Sequence, residues 1–196
     1  MLLNYCYTPL FLYQTGSVPC YHYGMLYTLI LSILWVGGPK EVLPNERVAV
    51  TTEDSLFIRV LNYEQLKPML HQDNDTTYVV NFWATWCSPC MEELPYFLAL
   101  DSVYRNHPMK LVLVSLDFKK DYIRKLQPLV RKKKLEDNVV VLEDNDANFW
   151  INDIDPTWGG AIPATLVYKG KERTFYEKSF HELNELKEIV KPYLNL

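Results

Sequence analysis

Two cysteines separated by two residues, Cys87 and Cys90, are the residues of this chain best suited to chemistry. They stand in the pentapeptide Trp86-Cys87-Ser88-Pro89-Cys90, between an apolar, strand-like run and a helix-like run. This position places the first sulfur at a helix N-terminus, where backbone N–H groups and the helix dipole stabilise a thiolate. The second sulfur follows one turn later, within disulfide reach of the first. The spacing therefore predicts thiol–disulfide exchange.

The two cysteines are expected to have different roles. Exchange needs one thiolate to attack a disulfide and a second thiol to resolve the mixed disulfide that forms. Cys87 is assigned the attack, because the first cysteine of such a turn is the more exposed one, and Cys90 is assigned the resolution. Pro89 suits the first helical turn, where its missing N–H is not needed. Trp86 is expected to cover the pair and to limit its contact with solvent.

A metal site and an inert disulfide are the alternatives for a Cys-x-x-Cys pair. A structural zinc site needs four ligands, and the two other cysteines, Cys6 and Cys20, lie far from the motif in the sequence. The histidines His71, His107 and His181 are scattered, and none has ligand spacing to the cysteines. An inert disulfide is disfavoured because so small a ring constrains few unfolded conformations. We therefore expect a redox-active pair that uses no metal and no cofactor.

The elements around the motif alternate between strand and helix. Strand-like and helix-like runs follow one another at 56–60, 63–71, 77–83, 88–105, 110–116, 120–134, 139–142 and 146–154, before a hairpin at 164–169 and 174–177 and a last helix that ends near 190. Pro95 should kink the helix after the cysteines, and Ser179-Phe180-His181-Glu182 is a capping-box pattern for the last helix. This order predicts an α/β sandwich with a central mixed β-sheet flanked by helices.

The first 39 residues differ in composition from the rest of the chain. They contain no Lys, Arg, Asp or Glu, and they include the apolar run 25–36. This run is too short to span a bilayer of ~30 Å, but it suits the apolar region of a signal peptide, and its extension back to Tyr21 approaches the length of an anchor. A basic n-region and a cleavage site are missing, and Met25 is an alternative start. We expect export or membrane anchoring, with a buried helix of the domain as the alternative.

The rest of the chain has the composition of an ordinary globular domain. The net charge of −4 gives no support for a nucleic-acid partner. The basic run 131–134 ends a predicted helix, where cations complement the helix dipole. We expect three segments, namely a leader at 1–39, a linker at 40–55 and a folded domain at 56–196.

Two segments of the chain resemble those of a known family. Residues 80–95 (Val-Asn-Phe-Trp-Ala-Thr-Trp-Cys-Ser-Pro-Cys-Met-Glu-Glu-Leu-Pro) look like the active-site segment of the TlpA/ResA type of thioredoxin-like proteins. Residues 160–168 (Gly-Ala-Ile-Pro-Ala-Thr-Leu-Val-Tyr) resemble the segment with the cis-proline that faces the cysteines in this superfamily. The two segments occur in the expected order. The resemblance covers roughly residues 56–193 and implies a thioredoxin-like sandwich.

The resemblance also implies further site residues. Pro163 would be the cis-proline, and the backbone of Ile162 would pair with an extended substrate beside the cysteines. Glu93 matches a buried acidic residue of the ResA type that is thought to tune the cysteines and to shuttle protons, with Glu92 as its more exposed neighbour. A solvated carboxylate on the helix is the alternative for Glu93. Trp158 lies in the segment just before the proline loop, and this aromatic segment is unusual for the family. Its side chain is expected either to line the substrate groove or to pack the loop.

The function implied by the resemblance is that of an extracytoplasmic thiol–disulfide oxidoreductase on the periplasmic side. Its partners would be protein thiols and disulfides and an upstream redox protein, and apocytochrome c maturation is one role in the family. We expect reduction, because proline precedes the second cysteine and no histidine separates the two. An oxidase or isomerase would run the same chemistry at another reduction potential. A peroxidase would need a lone cysteine in a Thr-x-x-Cys setting, and a copper carrier a Cys-x-x-x-Cys pair with a distant histidine.

Overall fold

The computed structural model of the chain describes residues 55–194. The predicted leader at 1–39 lies outside these residues, as does the predicted linker apart from Ser55. Among the described residues, no helix combines the length and the apolar character needed to cross a membrane. The strands and α-helices, in chain order, are β1 (Arg59–Leu61), α1 (Tyr63–Leu66), β2 (Thr77–Trp83), α2 (Ser88–Val103), β3 (Met109–Ser115), α3 (Gln127–Lys133), β4 (Val139–Leu142), α4 (Ala147–Ile154), β5 (Ala164–Lys169), β6 (Glu172–Tyr176) and α5 (Leu183–Val190).

A single mixed sheet of six strands organises the described residues. Its strand order is β1-β4-β3-β2-β5-β6, with β1, β4, β3 and β2 parallel to one another. β5 pairs antiparallel with β2, and β6 returns antiparallel to β5 through a tight hairpin in which Gly170 has a φ of 55°. Every residue of the central strand β2 is buried, which matches its almost continuous apolar sequence. The predicted α/β sandwich with a central mixed sheet is confirmed.

Helices cover both faces of this sheet. On one face α2 packs against α5, with the rings of Phe97 and Phe180 6.0 Å apart in an edge-to-face arrangement. On the other face lies a second apolar cluster that contains Trp150 of α4 and residues of α1. Successive side chains of a strand point to opposite faces, so Asn81 shares the α2 face with Val79. A polar side chain from β2 is thereby placed beneath the helix that follows the cysteines.

The predicted helix over 120–134 is interrupted in the structure. It consists of a 3-10 turn at Lys119–Asp121, a π turn at Tyr122–Leu126 and then α3. Pro128 lies in the first turn of α3 and has no N–H to bond the carbonyl of Arg124. A continuous α-helix would lose a hydrogen bond at this point, so the regular α-helical pattern starts only with α3.

The predicted capping box at Ser179 is wrong. α5 begins four residues later at Leu183, and its N-cap residue Glu182 makes no capping hydrogen bond with its side chain. Phe180 supplies the physical reason, since its ring is buried in the core and its N–H donates to Glu93 Oε2 at 2.9 Å. These tertiary contacts hold the segment outside the helix.

Candidate active site

The strand β2 leads directly into the cysteine turn at the start of α2. Cys87 is the N-cap residue of α2 and Cys90 lies in its first turn, with their Cα atoms 5.3 Å apart and their sulfurs joined in a disulfide. The N–H of Cys90 donates to Cys87 Sγ at 3.3 Å. The side chains are 6% and 1% exposed respectively, so the first cysteine is the more accessible one. This N–H and the helix dipole favour a thiolate on Cys87 in the reduced protein.

A buried carboxylate that the sequence analysis missed holds the turn before the cysteines. Asp117 follows β3, and each of its carboxylate oxygens accepts a hydrogen bond from the N–H of Thr85 at 3.1 Å. It also accepts from the Thr85 hydroxyl and, at 2.8 Å, from the Ser115 hydroxyl. Because β2 and β3 are parallel, the segments that follow them meet at the same edge of the sheet. In the sequence, the only indication of this role was that Asp117 directly follows the predicted strand at 110–116.

The proline loop lies on the other side of the cysteines. The Ile162–Pro163 peptide bond is cis, as the resemblance predicted. This loop precedes β5, and Ala164 at the start of β5 pairs with Phe82 near the end of β2, so the loop reaches the cysteine end of the sheet. The carbonyl oxygen of Ile162 lies 3.7 Å from Cys87 Sγ. The structure thus brings together the disulfide and the proline loop.

Trp158 packs the proline loop from within the domain. Its side chain is buried, and its ring lies 4.8 Å from that of Phe82 and 5.3 Å from that of Phe175. Its indole N–H donates to the carbonyl of Ala161 at 2.9 Å. Of the two roles predicted for Trp158, the structure shows packing of the loop and not lining of a substrate groove, because the ring belongs to the core on the α4 face of the sheet.

Trp86 is exposed and does not cover the cysteines as predicted. Its side chain is 48% exposed and stacks on the ring of Phe118, which is 58% exposed, with the ring centroids 5.8 Å apart. The Nζ atom of Lys120 lies 5.5 Å from the centroid of the Phe118 ring. The cysteines are instead buried by the packing of the first turn of α2 into the core. The Trp86–Phe118 aromatic pair forms an exposed apolar surface next to Cys87, and Phe118 carried no signal in the sequence.

Glu93 is a buried carboxyl between α2, β2 and the segment before α5. Its Oε1 accepts a hydrogen bond from Asn81 Nδ2 and its Oε2 accepts one from the N–H of Phe180, both at 2.9 Å. Burial raises the pKa of Glu93 to about 7, and the two hydrogen bonds lower it only in part. Glu93 follows Cys90 by three residues on α2, so the two share a helix face. Glu92, by contrast, is exposed and accepts a hydrogen bond from a serine hydroxyl.

The arrangement combines a dithiol that can form a disulfide, a buried carboxyl and a cis-proline loop. Within residues 55–194, no group of three or more His, Cys, Asp or Glu side chains is placed to hold a metal ion. The fold and the site therefore define a thioredoxin-like domain in which the sulfurs of Cys87 and Cys90 form a disulfide at the end of the central sheet.

Comparisons with known proteins agree with this class. Residues 65–151 match the Redoxin family. The thiol-disulfide oxidoreductase ResA of Oceanobacillus iheyensis is 49% identical over 39 residues, which are 20% of this chain and 20% of the relative. ResA of Bacillus thuringiensis (strain Al Hakam) is 37% identical over 72 residues, which are 37% of this chain and 41% of the relative. The chain is similar to thioredoxin-like proteins of the ResA type, and the matches span between 20% and 41% of the length of these curated relatives.

Solved structures support the same fold. A thiol:disulfide interchange protein of the thioredoxin family from Chlorobium tepidum superimposes with a TM-score of 0.50 and 18% identity, covering 61% of this chain and 80% of the other. A thioredoxin-related protein from Neisseria meningitidis serogroup B gives a TM-score of 0.50 and 20% identity, covering 60% and 84%. At these identities the likeness shows the thioredoxin fold.

Proposed function

We propose that this chain is an extracytoplasmic thiol–disulfide oxidoreductase that reduces disulfides in client proteins. The observation that carries the proposal is the meeting of the Cys87–Cys90 disulfide with the proline loop, where Cys87 Sγ lies 3.7 Å from the carbonyl oxygen of Ile162. The names of the ResA relatives support the same chemistry.

The reaction begins with the reduced protein. The Cys87 thiolate attacks one sulfur of the client disulfide, forms a mixed disulfide, and releases the other client sulfur as a thiolate. The Cys90 thiolate then attacks Cys87 Sγ and releases the second client thiolate. The products are a client dithiol and the Cys87–Cys90 disulfide that the structure contains, so two electrons have passed to the client. An upstream dithiol protein must return these two electrons for the next cycle.

Glu93 is proposed to accept the proton that Cys90 loses before its attack. The Cys90 side chain is only 1% exposed, so its proton needs an acceptor within the protein. A carboxyl with a pKa of about 7 exchanges protons well at neutral pH, because it is then divided between its acid and base forms. The hydrogen bonds from Asn81 and Phe180 hold the carboxyl in place during the transfer.

The client is proposed to bind in an extended conformation across the cysteine end of the sheet. The backbone of Ile162, next to Pro163, would pair with the client segment on one side of Cys87. The exposed rings of the Trp86–Phe118 aromatic pair would contact an apolar residue of the client on the other side.

The proposal also includes the compartment of the protein and the direction of electron transfer. The uncharged leader at 1–39, followed by a linker at 40–55 and the catalytic domain at 56–196, supports export or anchoring with the domain outside the cytoplasm. Reduction is supported by the proline before Cys90 and by the absence of a histidine between the cysteines. Apocytochrome c is a client that the ResA resemblance suggests.

Two measurements test the proposal. The full chain and a Cys20→Ser control should reduce insulin in the presence of a dithiol, whereas Cys87→Ser should not. Equal insulin reduction by the wild type and Cys87→Ser would refute the proposed chemistry. A redox titration of the Cys87/Cys90 couple then decides the direction. A potential below roughly −230 mV supports a reductant, and one near −120 mV would show an oxidant instead.

A further inference from the structure

The loop that carries Pro163 is held by a carboxylate that the reaction above does not use. Glu177 directly follows β6, and its Oε2 accepts a hydrogen bond from the N–H of Gly159 at 2.9 Å. Its Oε1 accepts from the N–H of Ala161, also at 2.9 Å. Each oxygen therefore engages one N–H, and the carboxylate bridges the two residues that flank Gly160. Hydrogen bonds to an ionised carboxylate are stronger than those between neutral groups.

The same loop is anchored from its inner side. The indole N–H of the buried Trp158 donates to the carbonyl of Ala161 at 2.9 Å. The chain bends between the two bridged residues, where Gly160 has a φ of 89° that side chains rarely allow. Ala161 therefore has its N–H bound by Glu177 and its carbonyl bound by Trp158. The next residue, Ile162, is the one whose carbonyl lies beside Cys87.

We propose that Glu177 is a positioning residue for client binding, because its bridge determines that Ile162 and not Ala161 presents its backbone beside Cys87. This inference rests on the proposed function. An extended client would pair with the loop through backbone hydrogen bonds, so the position of the loop sets the register of the client. A small disulfide needs contact only with Cys87 and does not depend on that register.

The test compares a protein disulfide with a small one. Glu177→Gln keeps the size of the side chain but replaces one acceptor oxygen with an NH₂ group that cannot accept a hydrogen bond. Glu172→Gln is the matched control, because Glu172 is an exposed carboxylate of β6 at the hairpin end of that strand. The full chain and both variants are assayed for reduction of insulin and of the aromatic disulfide DTNB.

The expected result is selective. In Glu177→Gln the KM for insulin rises about tenfold, the size expected for one lost charge-assisted hydrogen bond, while kcat changes by less than about twofold. The rate with DTNB stays within about twofold of the wild type, and Glu172→Gln matches the wild type with both disulfides. Amide hydrogen exchange, followed by NMR, quickens at Gly159 and Ala161 and stays slow in β2.

Each of the following results would overturn the inference. An unchanged KM for insulin in Glu177→Gln would show that the bridge does not position clients. Equal losses with insulin and DTNB, or a general loss of protection in β2, would show a role in overall structure or in cysteine reactivity. If the wild type reduces both disulfides and Glu177→Gln reduces them at the same rates, the positioning role of Glu177 is refuted and the proposed function stands. A wild-type chain that reduces neither disulfide would refute the proposed function, and the positioning role with it.

Discussion

Replacing Glu93 with Gln removes a buried ionisable group while keeping the size of the side chain. The ordinary pKa of such a carboxyl is 4.5, and burial raises it to about 7 in the folded protein. At pH values between 4.5 and about 7, the folded chain keeps a proton on Glu93 that the unfolded chain releases. The free energy of unfolding therefore falls as the pH rises through this range. The ionisation of Glu93 therefore does not destabilise the fold below about pH 4.5, and it destabilises the fold fully above about pH 7. From the two pKa values, the loss between pH 5 and pH 8 is roughly 2–3 kcal/mol.

Urea denaturation of the oxidised full chain at pH 5 and pH 8 measures this loss. The difference in free energy of unfolding between Glu93→Gln and the wild type should grow by roughly 2–3 kcal/mol in favour of the variant over this range. Glu92→Gln is the matched control, because Glu92 is the exposed neighbour on the same helix, and it should show no such change. A difference for Glu93→Gln that stays constant within about 0.5 kcal/mol would refute a raised pKa at this carboxyl.

The same variant tests the proton transfer. The rate at which the wild type resolves the mixed disulfide should rise with pH around pH 7, as Glu93 becomes able to accept the Cys90 proton. Glu93→Gln should lose this inflection and slow the step about a hundredfold, the lower range for general base catalysis. Stopped-flow measurement of client thiol release gives the profile. An inflection near pH 7 that persists in Glu93→Gln would place the base elsewhere.

Three further predictions concern other residues of the site. Asp117→Asn should lower the free energy of unfolding, measured by urea denaturation, by about 1–3 kcal/mol, because the side chain loses one acceptor oxygen. An unchanged free energy of unfolding would contradict the role of Asp117 in holding the turn. Phe118→Ala should raise the KM for insulin roughly fivefold without changing the rate with DTNB. Phe149→Ala removes another exposed ring and should leave the KM for insulin unchanged. If both variants raise this KM equally, the Trp86–Phe118 pair is not a specific client surface. Cys90→Ser should accumulate a mixed disulfide with the client on non-reducing gels, and no adduct would contradict attack by Cys87.

Much of the fold could be predicted because its signals are local. The apolar run of β2 gave the strand its correct bounds, and the strand-turn-helix order gave the sandwich. Boundaries failed where a distant contact competes with a local pattern. Ser179 opens a good capping box, but the N–H of Phe180 is engaged by Glu93 from another helix, and α5 starts later.

The site shows the same division. Glu92 and Glu93 are adjacent and chemically alike, and the family resemblance favoured Glu93 without deciding whether it is buried. Burial follows from Asn81 on β2 and from Phe180 before α5, which supply hydrogen bonds from residues 12 and 87 positions away in the chain. The sequence left Trp158 open between a groove and loop packing, because its position in the loop did not reveal which side of the sheet its ring would join.

By itself, the sequence determined that the two cysteines stand at a helix N-terminus within disulfide reach, and it predicted their roles, because this arrangement depends on residues within one turn of the chain. Only the tertiary structure decided what surrounds them. Asp117 holds the turn, the carboxylate of Glu177 bridges the proline loop, and Phe118 completes the exposed aromatic pair. Each of these residues acts through a partner that lies 16 to 32 positions away, as the two hydrogen-bonded pairs and the aromatic pair show. Such contacts exist only once the strands have paired and the helices have packed on them.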